Sequence, residues 1–96
     1  MIYEWDPKKA KVNLQRHRVS FEEAATIFLD PLAVTYPDPH HSGEELREIT
    51  IGRSARHRVL FLSHTSRGGR TRLISGRKAT KRERKQYEES SGEEKQ

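Results

Sequence analysis

The sequence predicts an α+β fold, in which an N-terminal helical hairpin is followed by an antiparallel sheet of about four strands and then by a C-terminal helix. Two observations support this prediction. Apolar residues recur at helical spacing before Pro31, and they alternate with polar residues after it. The 96 residues are expected to form one domain, which we place at residues 1–89, followed by a disordered acidic tail at residues 90–96.

The first helix is predicted between Pro7 and about His17. Asp6 is a preferred N-cap residue, and proline is favoured at the first helical position. The buried stripe of this helix would consist of Ala10, Leu14 and His17. Residues 2–5 precede the helix and could add a short N-terminal strand to the sheet.

The second helix is predicted from a capping box, in which Ser20 is followed three residues later by Glu23. The apolar residues of this segment have the spacing of a buried helix face: Phe21, Ala24, Ala25 and Phe28. Asp30-Pro31 ends the pattern. Because only Arg18 and Val19 separate the two helices, we expect them to pack as a hairpin.

Four strands are predicted after the helices, at residues 32–36, 46–53, 57–65 and 70–77. Residues 37–45 have the composition of a loop, and residues 66–69 have that of a hairpin turn. Short connections of this kind join antiparallel neighbours, so the strands should form a meander.

A C-terminal helix is predicted from a second capping box, which runs from Thr80 to Glu83. This helix has few apolar residues, and Tyr87 is one of them. Lys81 and Arg82 lie in its first turn, where the helix dipole disfavours cations and a bound phosphate would reverse that effect. The alternative is a solvated helix that frays, as chain termini often do.

Basic residues are concentrated between residues 50 and 87, which contain twelve lysines and arginines and a single acid, Glu83. Nine of the twelve are arginines, which favours planar contacts with phosphates and bases. Charge of one sign gathered in one part of a fold favours a polyanionic partner. Since this basic block overlaps the predicted strands, we expect it to lie on a sheet face.

The composition also excludes several classes of protein and site. The chain contains no cysteine, so it has neither a disulfide nor a thiolate zinc site. No apolar run approaches the roughly 20 residues of a membrane span and no secretory signal is visible, so we expect a cytoplasmic protein that does not enter a membrane. His40-His41, Asp38 and Glu44 lack diagnostic metal-ligand spacing, and we expect neither a metal nor a cofactor.

The predicted strand ends bring together side chains suited to metal-independent RNA cleavage. That reaction needs a base for the 2′-OH proton, a cation for the pentacoordinate phosphorane and an acid for the leaving 5′-oxygen. The groups expected to converge on one open sheet face are Glu48, Thr50, His64, Arg77 and Tyr87, with Arg67 in the adjacent turn. Secondary candidates for RNA binding are Arg47, Lys81 and Arg82.

Within this set, Arg67 and Arg77 would clamp the scissile phosphate. Glu48 and His64 would exchange protons, and Tyr87 would stack on a base or assist. Less specific interpretations stay open. His64 could be a surface histidine at a strand end, and Glu48 could form an ion pair with an arginine. The basic block could bind RNA or DNA without any chemistry.

Residues spread from Tyr3 to Tyr87 carry a resemblance to a known family. Its first part consists of Glu4-Trp5-Asp6, Lys8, Asn13, His17, Val19-Ser20-Phe21-Glu22-Glu23-Ala24 and Asp30-Pro31. Its second part consists of Glu45, Arg47, Ile51-Gly52, Thr65-Ser66-Arg67, Arg72-Leu73-Ile74-Ser75, Arg77, Ala79, Glu83 and Tyr87. In this combination the chain resembles the BrnT toxins of bacterial type II toxin–antitoxin modules.

The resemblance implies a RelE-like fold, with two helices, a small antiparallel sheet and a last helix. It also implies a ribonuclease that acts on RNA and suppresses translation. The implied partner is a ribbon-helix-helix antitoxin of the BrnA type, and the complex would bind its own promoter DNA. We therefore expect an endoribonuclease toxin, and the alternative is a non-catalytic nucleic-acid-binding module that uses the basic sheet face.

Two positions depart from the family pattern. Arg18 stands where the family usually has glycine, at a helix end that favours left-handed backbone. Gly76 stands in the last strand where the family often has alanine, and glycine weakens a strand. Neither departure removes a candidate catalytic group.

Overall fold

Three α-helices and five strands make up the described part of the chain, residues 1–40 and 45–91 of the computed structural model. The helices are α1 (Pro7–His17), α2 (Phe21–Ala25) and α3 (Lys81–Ser91), and a 3₁₀ helix at Thr26–Leu29 continues α2. The strands are β1 (Tyr3–Glu4), β2 (Val34–Pro37), β3 (Arg47–Arg53), β4 (Val59–Arg67) and β5 (Arg70–Lys78). None of the described helices is long and apolar enough to cross a membrane.

Two predicted segments extend beyond the described residues. The predicted loop at residues 37–45 includes residues 41–44, which lie outside them, and so do the metal-ligand candidates His41 and Glu44. The predicted acidic tail at residues 90–96 likewise includes residues 92–96. The predictions for these positions therefore stay predictions.

The five strands form one mixed sheet in the order β1-β5-β4-β3-β2. Strands β2 to β5 are antiparallel neighbours. β1 instead pairs in parallel with β5, through Tyr3 with Thr71 and Glu4 with Arg72. The predicted antiparallel sheet of four strands is therefore corrected to a mixed sheet of five. β1 and β2 lie at opposite edges because α1 and α2 carry the chain across one face of the sheet between them.

The two N-terminal helices pack on the sheet, and the predicted helical hairpin is wrong. Both α1 and α2 contact β5, and Phe21, Ala24 and Ile27 share one apolar cluster with side chains of β4 and β5. α2 ends after five residues, where the Thr26 hydroxyl donates to the Glu23 carbonyl oxygen at 2.6 Å and the backbone tightens into the 3₁₀ helix. A helix this short offers little surface to another helix, so burial against the sheet dominates.

Apolar clusters cover both faces of the sheet. The face beneath α1 and α2, which we call the two-helix face, buries Val19, Phe21, Ala24, Ile27, Leu60, Leu62 and Leu73. The opposite face, which we call the α3 face, buries Ile49, Ile51, Val59 and Tyr87. The Tyr87 residue is only 1% exposed. α3 is therefore anchored by a buried ring and is not the solvated, fraying helix of the alternative prediction.

The buried residue of α1 is Asn13. Of the predicted apolar stripe, Ala10 packs against the two-helix-face cluster, but Leu14 is 49% exposed. The Asn13 Nδ2 donates to the carbonyl oxygens of Val19 (2.9 Å) and Gly76 (2.8 Å), and its Oδ1 accepts from the Gly76 N–H (3.0 Å). β1 is too short to reach this part of β5, so the amide takes the place of a strand neighbour. Arg18 then ends α1 in the left-handed conformation, with φ of 59°.

The capping box of α2 forms on one side only. Ser20 Oγ accepts from the Glu23 N–H at 3.0 Å, as predicted. The Glu23 carboxylate instead accepts from the Ser54 hydroxyl at 2.7 Å and from the Arg58 Nε at 2.9 Å. Arg58 lowers the pKa of Glu23, and although burial opposes this shift the carboxylate stays charged. Glu23 therefore ties α2 to the turn between β3 and β4.

Candidate nucleic-acid interface

The predicted site residues lie on opposite faces of the sheet. Glu48 pairs with His64 across β3 and β4, and the His64 ring lies 5.1 Å from the ring of Phe28, on the two-helix face. Arg77 pairs with Phe61, and Phe61 packs in the α3-face cluster together with Tyr87. The predicted convergence of these groups on one open face is therefore wrong. Phe61 and His64 are three residues apart in one strand, and side chains at that spacing point to opposite faces.

His64 is a buried hydrogen-bonding residue. It is 5% exposed, and its Nε2 lies 2.7 Å from the Thr50 Oγ1, which lies 2.7 Å from the Thr35 Oγ1. Burial lowers the pKa of His64, although the nearby Glu48 carboxylate opposes this shift. The geometry thus gives His64 and Thr50 a structural role between strands and leaves the imidazole without access to a large polyanion.

Tyr87 is also enclosed by the protein. Its hydroxyl donates to Asp30 Oδ2 at 2.7 Å, and the same oxygen accepts from the Arg53 N–H at 2.8 Å. Burial, with the added effect of the Asp30 carboxylate, raises the pKa of Tyr87 to about 12. The ring has no exposed surface on which a base could stack, so Tyr87 holds α3 to the corner between the 3₁₀ helix and β2.

Five arginines lie together on the α3 face. Arg47, Thr65, Arg72 and Glu4 are aligned across β3, β4, β5 and β1. Arg67 and Arg70 form the next pair on the same face, two residues further along β4 and β5. Arg77 lies on this face through its pairing with Phe61. We call this group the arginine face, and its members are Arg47, Arg67, Arg70, Arg72 and Arg77.

Three glutamates hold these arginines in place. The Glu45 carboxylate accepts from Arg67 at 2.5 Å, and its other oxygen lies 4.0 Å from the Arg47 Nε. Arg67 lowers the pKa of Glu45. Glu4 lies 3.4 Å from Arg70 and 3.2 Å from Arg72, and hydrogen bonding to Arg72 lowers its pKa too. The carboxylates are therefore charged at neutral pH, and the guanidinium groups are oriented before any ligand binds.

Arg77 is the most firmly held of the five. Its Nη1 and Nη2 donate to the two carboxylate oxygens of Glu83 at 2.7 and 2.9 Å, and its Cζ lies 4.1 Å from the centre of the Phe61 ring. The hydrogen bond to Glu83 raises the pKa of Arg77. Burial by itself would raise the pKa of Glu83, but the bonds from Arg77 and from the Thr80 N–H lower it. The pair therefore stays ionised.

The first turn of α3 has a complete capping box. The Thr80 Oγ1 accepts from the Glu83 N–H at 3.2 Å, and the Glu83 Oε1 accepts from the Thr80 N–H at 2.9 Å. The predicted RNA-binding residues Lys81 and Arg82 are exposed beside this turn. A carboxylate thus already occupies part of the helix end where a phosphate was predicted.

Six residues on or beside the α3 face were not predicted as site residues: Glu4, Tyr36, Glu45, Phe61, Arg70 and Arg72. Arg70 and Arg72 alternate in one strand, and that spacing was a usable signal for a shared face. Glu4, Tyr36 and Phe61 come from β1, β2 and β4, and Glu45 precedes β3. Only the register between the strands places them beside one another.

Residues 5–83 match the family model described as "Ribonuclease toxin, BrnT, of type II toxin-antitoxin system". This match spans well over half of the chain. The chain belongs to the BrnT ribonuclease toxin family. The resemblance found in the sequence is thereby confirmed. Membership of the BrnT family also implies that RNA is the target and that an antitoxin is the partner.

A solved BrnT structure has a similar fold. The crystal structure of the Brucella abortus ribonuclease toxin BrnT is 19% identical to this chain, with a TM-score of 0.65. The comparison covers 84% of this chain and 100% of the Brucella chain. At this identity the likeness supports a BrnT-like fold only. No curated protein matches the sequence.

Proposed function

We propose that this chain is an endoribonuclease toxin that binds RNA on the arginine face, cleaves it without a metal ion and thereby inhibits translation in the cytoplasm. The observation that carries the proposal is the arginine face itself. Five arginines from three neighbouring strands share one sheet face, and each one contacts a carboxylate through which its guanidinium is oriented.

Phosphate is the ligand that best fits Arg47, Arg67, Arg70 and Arg72. A guanidinium binds carboxylate and phosphate oxygens in the same planar geometry, so an RNA phosphate can take the place of a glutamate. Arg47 and Arg72 are 30% and 29% exposed, and they flank the nearly buried Thr65 at the centre of their row. A phosphate above Thr65 would therefore meet two guanidinium groups, and Arg67 lies two residues further along β4.

Glu45 is our candidate for the general base, in place of the predicted Glu48. One of its oxygens bonds to Arg67. Among the described residues, the other oxygen has only the 4.0 Å contact with Arg47, and it can accept a proton. Glu83 is less suited, because both of its oxygens bond to Arg77. In the proposed reaction the 2′-oxygen attacks phosphorus as its proton passes to Glu45. The 5′-oxygen leaves and takes a proton from solvent, which yields a 2′,3′-cyclic phosphate and a 5′-hydroxyl.

The proposed protein partner is a ribbon-helix-helix antitoxin of the BrnA type, and the proposed complex binds its own promoter DNA. Family membership supports the existence of an antitoxin, and the sequence resemblance supports its type. Co-expression with the neighbouring open reading frame, followed by gel-shift measurements on promoter DNA, tests both proposals. If the toxin purifies alone from this co-expression, the proposed antitoxin partner is contradicted.

Purified protein incubated with end-labelled RNA in EDTA tests the cleavage proposal. We expect products with 2′,3′-cyclic phosphate ends, and we expect Arg72→Ala to lower the cleavage rate strongly. Arg56→Ala is the matched control, because Arg56 is an exposed arginine in the turn between β3 and β4. Intact RNA, or cleavage that needs added Mg²⁺, would contradict the mechanism.

Glu45→Gln tests the assignment of the base separately from RNA binding. We expect the cleavage rate to fall by about 10²-fold or more, which is the usual contribution of a general base. RNA affinity should stay the same or increase, because a negative charge leaves the arginine face. Glu48→Gln serves as the control, since Glu48 lies on the two-helix face. Equal rates for Glu45→Gln and wild type would remove Glu45 from the reaction.

A second candidate function is nucleic-acid binding without cleavage. The specific observation in its favour is that the histidine predicted to transfer protons, His64, is buried on the face opposite the arginines. This alternative predicts RNA or DNA binding with a steep dependence on salt concentration, and no products in the cleavage assay.

A further inference from the structure

The planar guanidinium of Arg77 is fixed between an acid and an aromatic ring. Glu83 accepts from both Nη1 and Nη2, and the Lys78 carbonyl oxygen lies 3.3 Å from Nη1. Beneath the guanidinium, the Cζ lies 4.1 Å from the centre of the Phe61 ring, so one face of the plane rests on the ring. These contacts therefore hold the planar guanidinium in one orientation.

Part of the Arg77 side chain reaches solvent. The Arg77 side chain is 35% exposed although its end is paired with Glu83. In β4 and β5 the next pair on the same face consists of two small residues, Ser63 and Ser75. The same row continues through Ile49 in β3 and Tyr36 in β2. Beyond them lies the row of Arg47, Thr65 and Arg72, about 13 Å along β4 from Arg77 at the usual rise of a strand. A flat group could therefore lie on Arg77 above the serines while its neighbouring phosphate reaches the arginine row.

We propose that Arg77 is a nucleobase-stacking residue, so that the arginine face contains a base subsite beside its phosphate-binding arginines. This inference rests on the proposed binding of RNA to that face, and it replaces the phosphate clamp that the sequence predicted for Arg77.

The distribution of hydrogen-bond donors favours stacking over phosphate contact at Arg77. The Nη1 and Nη2 groups, which would bind a phosphate bidentately, already donate charge-assisted hydrogen bonds to Glu83. A phosphate would have to displace that carboxylate, whereas a base that stacks on the side of the guanidinium away from Phe61 leaves both bonds intact. Arginine planes and aromatic rings both stack on unpaired RNA bases, and Phe61 backs the guanidinium from below.

Binding of uncleavable oligonucleotides provides the test. The probes are 2′-O-methyl RNA hexamers of one sequence, which lack the attacking 2′-OH, and a matched series with a single abasic site at each position in turn. Affinities are measured by fluorescence anisotropy for the wild type, for Arg77→Lys and for Arg72→Lys. Lysine keeps the positive charge of arginine but has no plane to stack on.

We expect Arg77→Lys to weaken binding of the intact hexamer by about 10-fold, in the range of one base stack. At one position the abasic hexamer should bind wild type and Arg77→Lys equally, because the stacked base is already missing. Arg72→Lys should weaken intact and abasic hexamers by the same factor. Phe61→Leu, which removes the backing ring but no charge, should repeat the Arg77→Lys pattern and covers the case in which Arg77→Lys does not fold.

Two outcomes would overturn the proposal, and a third concerns the proposed function instead. If Arg77→Lys weakens the intact hexamer and every abasic hexamer equally, Arg77 contacts phosphate only. If it weakens none of them, Arg77 does not contact the RNA. If the wild type binds neither intact nor abasic hexamers, RNA binding on the arginine face fails, and the base subsite fails with it.

Discussion

His64 illustrates how burial decides the role of a single residue. In sequence it is a histidine near a strand end, within a basic segment, and it is a reasonable candidate for proton transfer. In the fold it is enclosed by Phe28 and bonded to Thr50, which bonds in turn to Thr35. Side-chain hydrogen bonds thereby link β2, β3 and β4 on the two-helix face.

This burial makes the stability of the protein dependent on pH. Because burial lowers the pKa of His64 in the folded state, the unfolded chain binds a proton first as the pH falls. The contribution of His64 is therefore complete above the unfolded pKa of about 6.5 and is lost as the pH drops below it, by up to about 1.4 kcal/mol per pH unit. We expect urea unfolding to show a lower free energy of unfolding at pH 5.5 than at pH 7.5.

His64→Gln tests this assignment, since glutamine can still bond to Thr50 but does not titrate. The decrease between pH 7.5 and pH 5.5 should become smaller in this variant. His57→Gln is the control, because His57 is exposed in the turn between β3 and β4. A decrease of the same size in His64→Gln and wild type would assign the pH dependence to other groups.

At the scale of elements, two sets of contacts hold α3 against the rest of the fold. The Thr80–Glu83 capping box and the Arg77–Glu83 pair fix its first turn. Tyr87, about one turn after Glu83, buries its ring in the α3-face cluster and bonds to Asp30. These contacts explain why a helix with so few apolar residues packs stably on the sheet.

Tyr87→Phe distinguishes an anchoring role from a catalytic one. Loss of the hydrogen bond to the charged Asp30 should lower the free energy of unfolding by about 1–2 kcal/mol, because Asp30 keeps its bonds from the Arg53 and Leu32 backbone N–H groups. The RNA cleavage rate should stay close to that of wild type at temperatures where the variant is folded. Urea unfolding and the cleavage assay measure the two effects.

Tyr36→Phe is the matched control, because the Tyr36 hydroxyl has no hydrogen bond to another described residue. This control should unfold like the wild type. A Tyr87→Phe variant of unchanged stability but strongly reduced cleavage would show that the hydroxyl acts in the reaction and would contradict the anchoring role.

At the scale of the whole molecule, the sheet separates two kinds of chemistry. The two-helix face carries most of the apolar core and the neutral His64 network. The α3 face carries the arginine face, in which three glutamates offset part of the charge of five arginines. The five arginines exceed the three glutamates by two positive charges, so this face attracts a polyanion.

The arginine face predicts how RNA binding depends on salt concentration. Each phosphate contact to single-stranded RNA contributes about 0.7 to the slope of log affinity against log salt. We expect Arg72→Ala to reduce the slope by about this amount, because one phosphate contact is lost. Anisotropy titrations of a single-stranded oligonucleotide over a series of salt concentrations measure it.

The control for the salt series is again Arg56→Ala, which removes the same charge from the turn between β3 and β4. Its slope should equal that of wild type. If Arg72→Ala and Arg56→Ala lower the slope equally, the attraction depends on net charge and not on contacts at the arginine face.

Much of this protein follows from local sequence. The start of α1 at Asp6-Pro7, the cap at Ser20 and the box at Thr80 each depend on residues a few positions apart, and all three form as predicted. The basic block and the family resemblance are likewise readable without a fold, and family membership is confirmed.

Only the tertiary structure decided which side chains share a face. Alternation divides the side chains of one strand between the two faces of the sheet. The register between strands decides which side chains of neighbouring strands lie next to each other on the same face. Here a β-bulge between β4 and β5 pairs Ser63 with Ser75 but His64 with Leu73, and no local pattern in the sequence specifies that shift. The shift puts Arg70 and Arg72 on the same face as Arg77. The register also aligns Arg47, Arg72 and Glu4, which are distant in sequence, in one row.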